Sequence, residues 1–444
     1  MTTIANSQTR ILDPSFDIQN FRAEWRLPTD SVFQANWRLC GVGISNTNGA
    51  FQGNGYARTQ GVLSAIRSIQ LYDGAELLDQ IADMDTYSSW KGLNKTNDAN
   101  ISTARWLAFN QLGFGRSGLV KGDVDVDTSD ILIKQVNPVL GAIEAPGDPT
   151  WNPYEGWINL QECLSFLKAS MVVPSTVYKQ LRLVVTYKSA LELAESVNTQ
   201  KTLDGYQTMM NANLVVEEIA DGPLKVEMSK QYTGVLFSPY EFDSVQLPAL
   251  SFPVAEPPAS DKIKEESTSF ILHGFNNKKL KKMLIVKKPT DPLTWQSNDG
   301  DSNLGYGNKG STAFFKEVLQ CRINGVNKIA GAGVEGKNRR LAMLTDTFGD
   351  INIIQGQQLM KSQDYTKFVG ADYVPSQGEV DFGGMIVDDY VNTLQLFITR
   401  TGLWGADSGN RRINQACRVI VMGQTEKVVM LDGKGGYRIS YTQP

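Results

Sequence analysis

Apolar residues along this chain fall in short, β-branched runs bounded by turn residues, and that pattern predicts strands rather than helices. Examples are Val62-Leu63-Ser64-Ala65-Ile66, Ile131-Leu132-Ile133, Leu181-Arg182-Leu183-Val184-Val185-Thr186-Tyr187, Met283-Leu284-Ile285-Val286, Leu394-Gln395-Leu396-Phe397-Ile398 and Arg418-Val419-Ile420-Val421. Asp73-Gly74 and Asn324-Gly325 each interrupt such a run. Dipeptides of this kind supply the positive φ of a tight turn, so both mark hairpins. Helices are expected to be few. Asn159 stands three residues before Glu162, an arrangement that caps a helix start, and Leu160, Cys163, Leu164 and Leu167 follow at helical spacing. The pattern predicts one short helix over 160–169 and others over 102–110 and 338–346.

The halves of the chain echo each other. Gly156-Trp157-Ile158-Asn159-Leu160 and Gly378-Glu379-Val380-Asp381-Phe382 share one pattern and lie about half the chain length apart. Upstream of each lies one of the two hairpins, followed by an expected helix. Downstream of each comes a strand with an arginine amid apolar residues, Leu181-Arg182-Leu183-Val184 and Cys417-Arg418-Val419-Ile420. Three echoes in one order point to two copies of a β domain, residues 1–221 and 222–444, joined near Asp221-Gly222-Pro223. The segment from Leu247 to Ser269 has Pro253, Pro257, Pro258 and the charge run Asp261-Lys262-Ile263-Lys264-Glu265-Glu266. It buries little apolar area and is expected to be an exposed loop or linker.

At 444 residues the chain is long enough for two or three cores without staples. Carboxylates outnumber Lys and Arg by 47 to 43, so no global field draws it onto nucleic acid. Cys40, Cys163, Cys321 and Cys417 are spread singly, without a metal-binding or redox pair, and read as small buried hydrophobes of a reducing compartment. The first residues lack the basic start and apolar core of a secretory signal, and no apolar run approaches the length that crosses a bilayer. The expectation is a soluble protein made in the cytosol.

With these elements placed, the sequence resembles the double jelly-roll major capsid proteins, especially those of polinton-like viruses and virophages, a lineage that includes adenovirus hexon. The likeness is carried by Gly61 through Gly74, by Asn159 through Leu167 and by Leu181 to Tyr187. In the second half it is carried by Phe270-Ile271-Leu272-His273-Gly274-Phe275, by Val380-Asp381-Phe382 and by Tyr437-Arg438-Ile439-Ser440-Tyr441. The resemblance implies a mainly β chain of two tandem jelly-roll β-sandwiches, with a few short helices in the loops. It implies a homotrimer whose six similar domains make a pseudo-hexagonal capsomer in an icosahedral virion shell, with neighbouring capsomers, penton and minor capsid proteins as partners. Segments 83–130 and 288–312, rich in Gly, Asn, Ser and Asp, are expected at the outer end or seams of that trimer. Trp90, Trp106 and Trp295 within them are the candidate interface anchors.

Other motifs compete with this reading. Gly331-Ala332-Gly333-Val334-Glu335-Gly336 matches the dinucleotide-binding spacing, yet it lacks a parallel strand with a ribose-binding acid about 20 residues on, so a glycine-rich loop after a hairpin is preferred. Asp123-Val124-Asp125-Val126-Asp127 alternates carboxylates, but Thr128 stands where a calcium loop turns on glycine and Lys134 where it needs glutamate. The lysines of 278–282 and 287–288 flank a strand. They suit contact with a packaged genome or an internal anionic membrane, or simply keep an edge strand in water, and the last is preferred.

His273 is the only histidine, which removes the usual triads and multi-histidine metal sites, and no nucleophile elbow, zincin or P-loop signature is present. Asn94 and Asn100 head glycosylation sequons that an unexported chain leaves unused. No catalytic residue, cofactor, metal or small-molecule substrate is therefore expected. The alternative is a carbohydrate-binding or carbohydrate-cleaving β-sandwich protein, with Trp151, Tyr154, Trp157 and Trp404 as stacking platforms.

Overall fold

The computed structural model describes residues 6–17, 19–46, 66–84, 86–87, 154–189, 206–209, 212–249, 263–289, 316–329, 331, 333–335, 342–343, 346–348, 382–403, 416–431 and 437–441. They gather into two compact units, one built from residues up to Tyr240 together with the strands after Glu426, the other from the intervening chain.

The first unit contains β1 (Ser7–Leu12), β2 (Ser15–Asp17), β3 (Arg22–Arg26), β4 (Val32–Gln34), β5 (Arg38–Asn46), β6 (Ile66–Asp73), β7 (Glu76–Ile81) and β8 (Tyr154–Asn159). Helices α1 (Leu160–Cys163) and α2 (Ser165–Ala169) follow, then β9 (Val172–Pro174), β10 (Leu181–Tyr187), β11 (Tyr206–Met209), β12 (Asn213–Ile219), α3 (Gly222–Gln231) and β13 (Gly234–Phe237). The second unit contains β14 (Tyr240–Leu247), β15 (Ile263–Leu272), β16 (Lys278–Pro289), β17 (Lys316–Ile323), β18 (Val326–Asn327), β19 (Val334–Glu335), β20 (Phe382–Val391), β21 (Leu394–Leu403) and β22 (Cys417–Thr425). The chain then returns to the first unit as β23 (Lys427–Leu431) and β24 (Tyr437–Tyr441), which form a three-stranded sheet with β13.

Both units are wound the same way. In the second, one sheet runs β14-β22-β16-β20 and the other β15-β21-β17-β18, with β19 added beside β17. Counting strands along the chain without β19, neighbours are therefore the first, eighth, third and sixth, and the second, seventh, fourth and fifth. In the first unit β1 pairs β12, β12 pairs β5 and β5 pairs β8, while the opposite sheet runs β3-β10-β6-β7. With β2, β4, β9 and β11 set aside as additions, this is the same interleaved order. It is the double Greek key of a jelly roll, laid down twice.

Period-two alternation builds the cores. On β10, Leu181, Leu183, Val185 and Tyr187 are buried while Arg182 and Thr186 face outward. On β21, Leu394, Leu396 and Ile398 join Met283 and Ile285 of β16 and Val419 and Val421 of β22 in one apolar cluster. Each such side chain contributes about 1.5–3 kcal/mol by leaving water. The hairpins fall where expected. Asp73 pairs Glu76 across Gly74-Ala75, Ile323 pairs Val326 across Asn324-Gly325, and Gly74, Asn324 and Gly325 all have positive φ.

Four readings need correction. The segment from Leu247 to Ser269 is not loop throughout, since Ile263–Leu272 is a strand paired with β21 along its whole length. It lies at the sheet's edge, where charged and hydroxyl side chains face water while Leu272 is buried, so low hydrophobicity does not prevent pairing. The lysine-bearing β16 is no edge strand, because it lies between β22 and β20. Long stems carry its charges to partners, Lys278 to Glu241 (3.5 Å) and Lys279 to Asp388 (3.6 Å), with Lys282 over the Phe348 ring at 4.8 Å.

The helix over 160–169 is two short helices broken at Leu164, whose backbone is extended (φ −101°, ψ 114°). The third echo matched strands that are not counterparts, since β10 holds the seventh place of its unit and β22 the eighth. Of the other expected helices, 342–343 and 346–348 are helical and 102–110 lies outside the described residues. Helix α3 went unforeseen, although Asp221 caps it through Leu224 N (3.1 Å) and Pro223 occupies its first turn.

Buried Asp73 accepts from Lys179 N (3.1 Å) and Gln180 N (2.6 Å), fastening the first hairpin to the turn before β10. Asp73→Ala should orphan both amides and lower unfolding stability by about 2–3 kcal/mol, read from urea midpoints. A change below about 0.5 kcal/mol would show that water replaces the carboxylate without penalty.

Candidate functional site

Besides Asp73, two buried carboxylates organise the first unit. Asp79 on β7 accepts from Phe166 N (2.7 Å) and Ser165 Oγ (3.0 Å) with one oxygen and from Gln80 N (2.8 Å) with the other. This explains the break between α1 and α2, because the carboxylate takes the amide at the start of the second helix. Burial raises its pKa from 3.8 to about 6, against the opposing pull of those bonds and of the Lys427 charge. Lys427 opens β23 and is itself buried, its ammonium donating to the carbonyls of Leu77 and Leu78 (2.9 Å each). Nearby, the hydroxyl of Tyr87 donates to the Glu162 carbonyl, and burial holds that phenol well above its usual range.

Glu218 on β12 accepts from Ser31 Oγ (2.6 Å) and Lys225 Nζ of α3 (2.7 Å) and forms an ion pair with Arg10 Nε of β1 at 3.2 Å. Burial works to raise its pKa, but the bonds from Lys225 and Ser31 and the charge of Arg10 outweigh it and hold the group low. A third cluster lies on the outward face of β3, where Glu24 takes Arg26 (2.8 Å), Arg182 (3.1 Å) and Arg22 (3.4 Å). These clusters join strands and helices distant in sequence. Among the described residues no three His, Cys, Asp or Glu are placed to hold a metal ion.

The residues singled out in the sequence fare differently. Trp90, Trp106 and Trp295 lie outside the described residues, as do Asp123 to Asp127, Asn94, Asn100, Trp151 and Trp404. Tyr154 and Trp157 belong to β8. His273 is exposed, beside Asn276 (3.5 Å). Cys163, Cys321 and Cys417 are buried and Cys40 half-buried, all as free thiols. Part of the glycine-rich motif is strand. Val334 and Glu335 form β19, antiparallel to Leu319 and Val318 of β17, and a Cβ on Gly333 would fall 2.5 Å from the Leu319 carbonyl oxygen. Glycine is required there by a neighbouring strand.

Large apolar side chains are exposed in both units, among them Ile11, Met171 and Leu236 in the first and Ile271, Val326 and Ile386 in the second. No helix among the described residues is long and apolar enough to cross a membrane. The alternation Arg22-Ala23-Glu24-Trp25-Arg26 was the visible signal for the outward cluster, whereas nothing local marked Asp79 or Glu218.

No family model matches the chain, and no curated protein sequence matches it. Among solved structures, the quasi-atomic model of the PBCV-1 virus capsid is similar at a TM-score of 0.52 and 10% identity, over 100% of this chain and 98% of that chain. The mavirus major capsid protein gives 0.49 at 9% identity, over 100% and 92%. The Sputnik virophage structure gives 0.43 at 10% identity, over 99% and 90%. The fold is thus a double jelly roll, mainly β with antiparallel sheets and few short helices, like that of the PBCV-1 capsid chain.

Two predictions follow from these contacts. Gly333→Ala should force β19 away from β17 and lower the stability of the second unit by about 1–3 kcal/mol, measured by denaturant unfolding. An unchanged midpoint would mean that the strand shifts freely. Because Asp79 is raised in the fold, its contribution is full below pH 3.8 and is lost as pH rises through about 6. The stability of wild type relative to Asp79→Asn should therefore fall between about pH 4 and pH 6, by up to about 3 kcal/mol. Glu218, held low, behaves in the opposite sense, its contribution being present above pH 4.5 and lost as pH falls below it. A wild-type minus variant difference flat from pH 4 to pH 7 would refute the assignment.

Proposed function

We propose that this chain is a structural protein, the major capsid subunit of a non-enveloped icosahedral virus, and that its place of work is the virion shell. One observation carries the reading: the same eight-strand order occurs in both units, over a chain whose whole length follows the fold of a viral capsid structure. A polypeptide carrying one sandwich blueprint twice needs only threefold self-association to present six similar domains. Such a block packs on a hexagonal lattice, so symmetry here has the part that chemistry has in an enzyme.

The repeat in the sequence is placed at 1–221 and 222–444, a division of the blueprint rather than of the packed units, since β23 and β24 close onto the first. The partners are two further copies in a homotrimer, then neighbouring capsomers, penton and minor capsid proteins. Packaged genome or an internal membrane lies on the inner side. Trp90, Trp106 and Trp295 are assigned to the seams between copies, where buried tryptophan commonly anchors. Permanent contacts of this kind bury more than about 2,000 Å².

Light scattering of the purified chain should return three times its 49.0 kDa mass, and electron microscopy should show particles with a hexagonal outline. A monodisperse monomer at high concentration would overturn the reading. Truncating any one of the three tryptophans to alanine should weaken the trimer by about 2 kcal/mol or more, read from its dissociation on dilution.

A further inference from the structure

Independently of how the chain assembles, the sheet β13-β23-β24 carries a charge on the face it turns inward. The register sets Phe237, Lys427 and Tyr441 in one row and Val235, Val429 and Ile439 in the next. Phe237 and Val429 are buried, and Phe237 meets the ring of Phe166 of α2 edge-on at 5.5 Å. Lys427 is buried with them, at 7% exposure. Alternation along β23 would place an apolar side chain there, and an ammonium in such a row is costly unless it finds acceptors.

The acceptors come from an irregularity in β7. Among the described residues this strand ends its sheet and pairs with β6 alone. Leu71 lies opposite Asp79 and Tyr72 opposite Leu77, so Leu78 is an extra residue, a bulge, and Leu78 and Asp79 are buried in succession. Successive carbonyls of a regular strand point to opposite edges. Here those of Leu77 and Leu78 converge on one atom, Lys427 Nζ, at 2.9 Å each. The centroid of the Tyr441 ring lies 5.5 Å from that nitrogen, and the ammonium charge acts on Asp79 against the effect of burial. Asp79 in turn holds the start of α2 through Phe166 N and Ser165 Oγ. Two carbonyls, a carboxylate and an aromatic face suit a primary ammonium, which brings three donors and one compact charge on a slim stem.

We propose that β7 carries a binding seat for a primary ammonium, and that Lys427, its resident ligand, straps the sheet β13-β23-β24 onto the first unit. Strands β23 and β24 follow the second unit in the chain, so the seat lets the first unit recognise a residue 350 positions after Leu77. An apolar residue at 427 could lie between Phe237 and Tyr441, but it would orphan both carbonyls, and buried acceptors without donors are costly. Apolar contact lets a sheet rest on α2 and β7. The ammonium sets which residue of that sheet lies over the bulge.

The test uses the full chain and reads hydrogen exchange at the amides of Val429 and Met430 in the middle of β23, with Val421 of β22 as a control in the other unit. Lys427→Ala removes the stem beyond Cβ together with the ammonium. It should speed exchange at Val429 and Met430 by about tenfold or more and leave Val421 unchanged. Propylammonium chloride replaces the missing atoms and should restore most of the loss, whereas 1-propanol and potassium chloride at equal concentration should not. Val429→Ala loosens the same sheet through packing alone, and propylammonium should do nothing for it. Should Lys427→Ala fail to fold, acylation of amines in the wild-type chain decides. Lys427 should react about a hundredfold or more slower than the exposed Lys230 of α3, and chains acylated at 427 should show the faster exchange. The proposal is overturned if Lys427→Ala exchanges like wild type, if 1-propanol restores it as well as propylammonium, if the loss spreads equally to Val421, or if Lys427 is acylated as fast as Lys230.

Discussion

Burial of alternate side chains between two sheets, whose neighbouring strands are far apart in the chain, is the constraint on which this molecule depends. In the second unit β14 lies beside β22 and β15 beside β21, so its first two strands pair with its last two. No hairpin there can bury its apolar face until the closing strands arrive. The core is therefore one cooperative object in each unit, and what remains for function lies at edges, on outward faces and in connections.

That constraint explains where charge is tolerated inside. Asp79 and Glu218 are buried because each satisfies several donors from distant segments at once, Asp79 joining β7 to α2 and Glu218 joining β12 to β1 and α3. A buried carboxylate that takes several donors adds direction to a core that hydrophobic packing alone leaves less specified. The edges are handled with charge and irregularity: β15 carries Glu265 and Glu266, and β20 carries a bulge with Asp388 at φ 44°. Such devices suit a protein kept at high local concentration, where open strand edges would aggregate.

Much of the architecture was legible because strands and turns write themselves locally. The runs at 181–187 and 394–398 are strands, and the dipeptides at 73–74 and 324–325 are hairpins, since alternation and positive φ need only neighbouring residues. Misreadings arose where the outcome depends on a partner. Charge in 261–266 resembled a loop until β21 accepted part of it as an edge strand, and the lysines of β16 resembled an edge until β22 and β20 flanked them. The arginine cluster was visible only in part, because Arg22-Ala23-Glu24-Trp25-Arg26 reveals one face while Arg182 joins it from a strand more than 150 positions away.

By itself, then, the order of residues determined the β class, the short helices, the two hairpins and the doubling of one pattern, all consequences of side-chain periodicity and backbone stereochemistry. Only the tertiary structure decided which strands are neighbours, which carboxylates are buried and that Gly333 answers to a strand. Those outcomes depend on which distant segments meet, and local periodicity carries no information about that meeting.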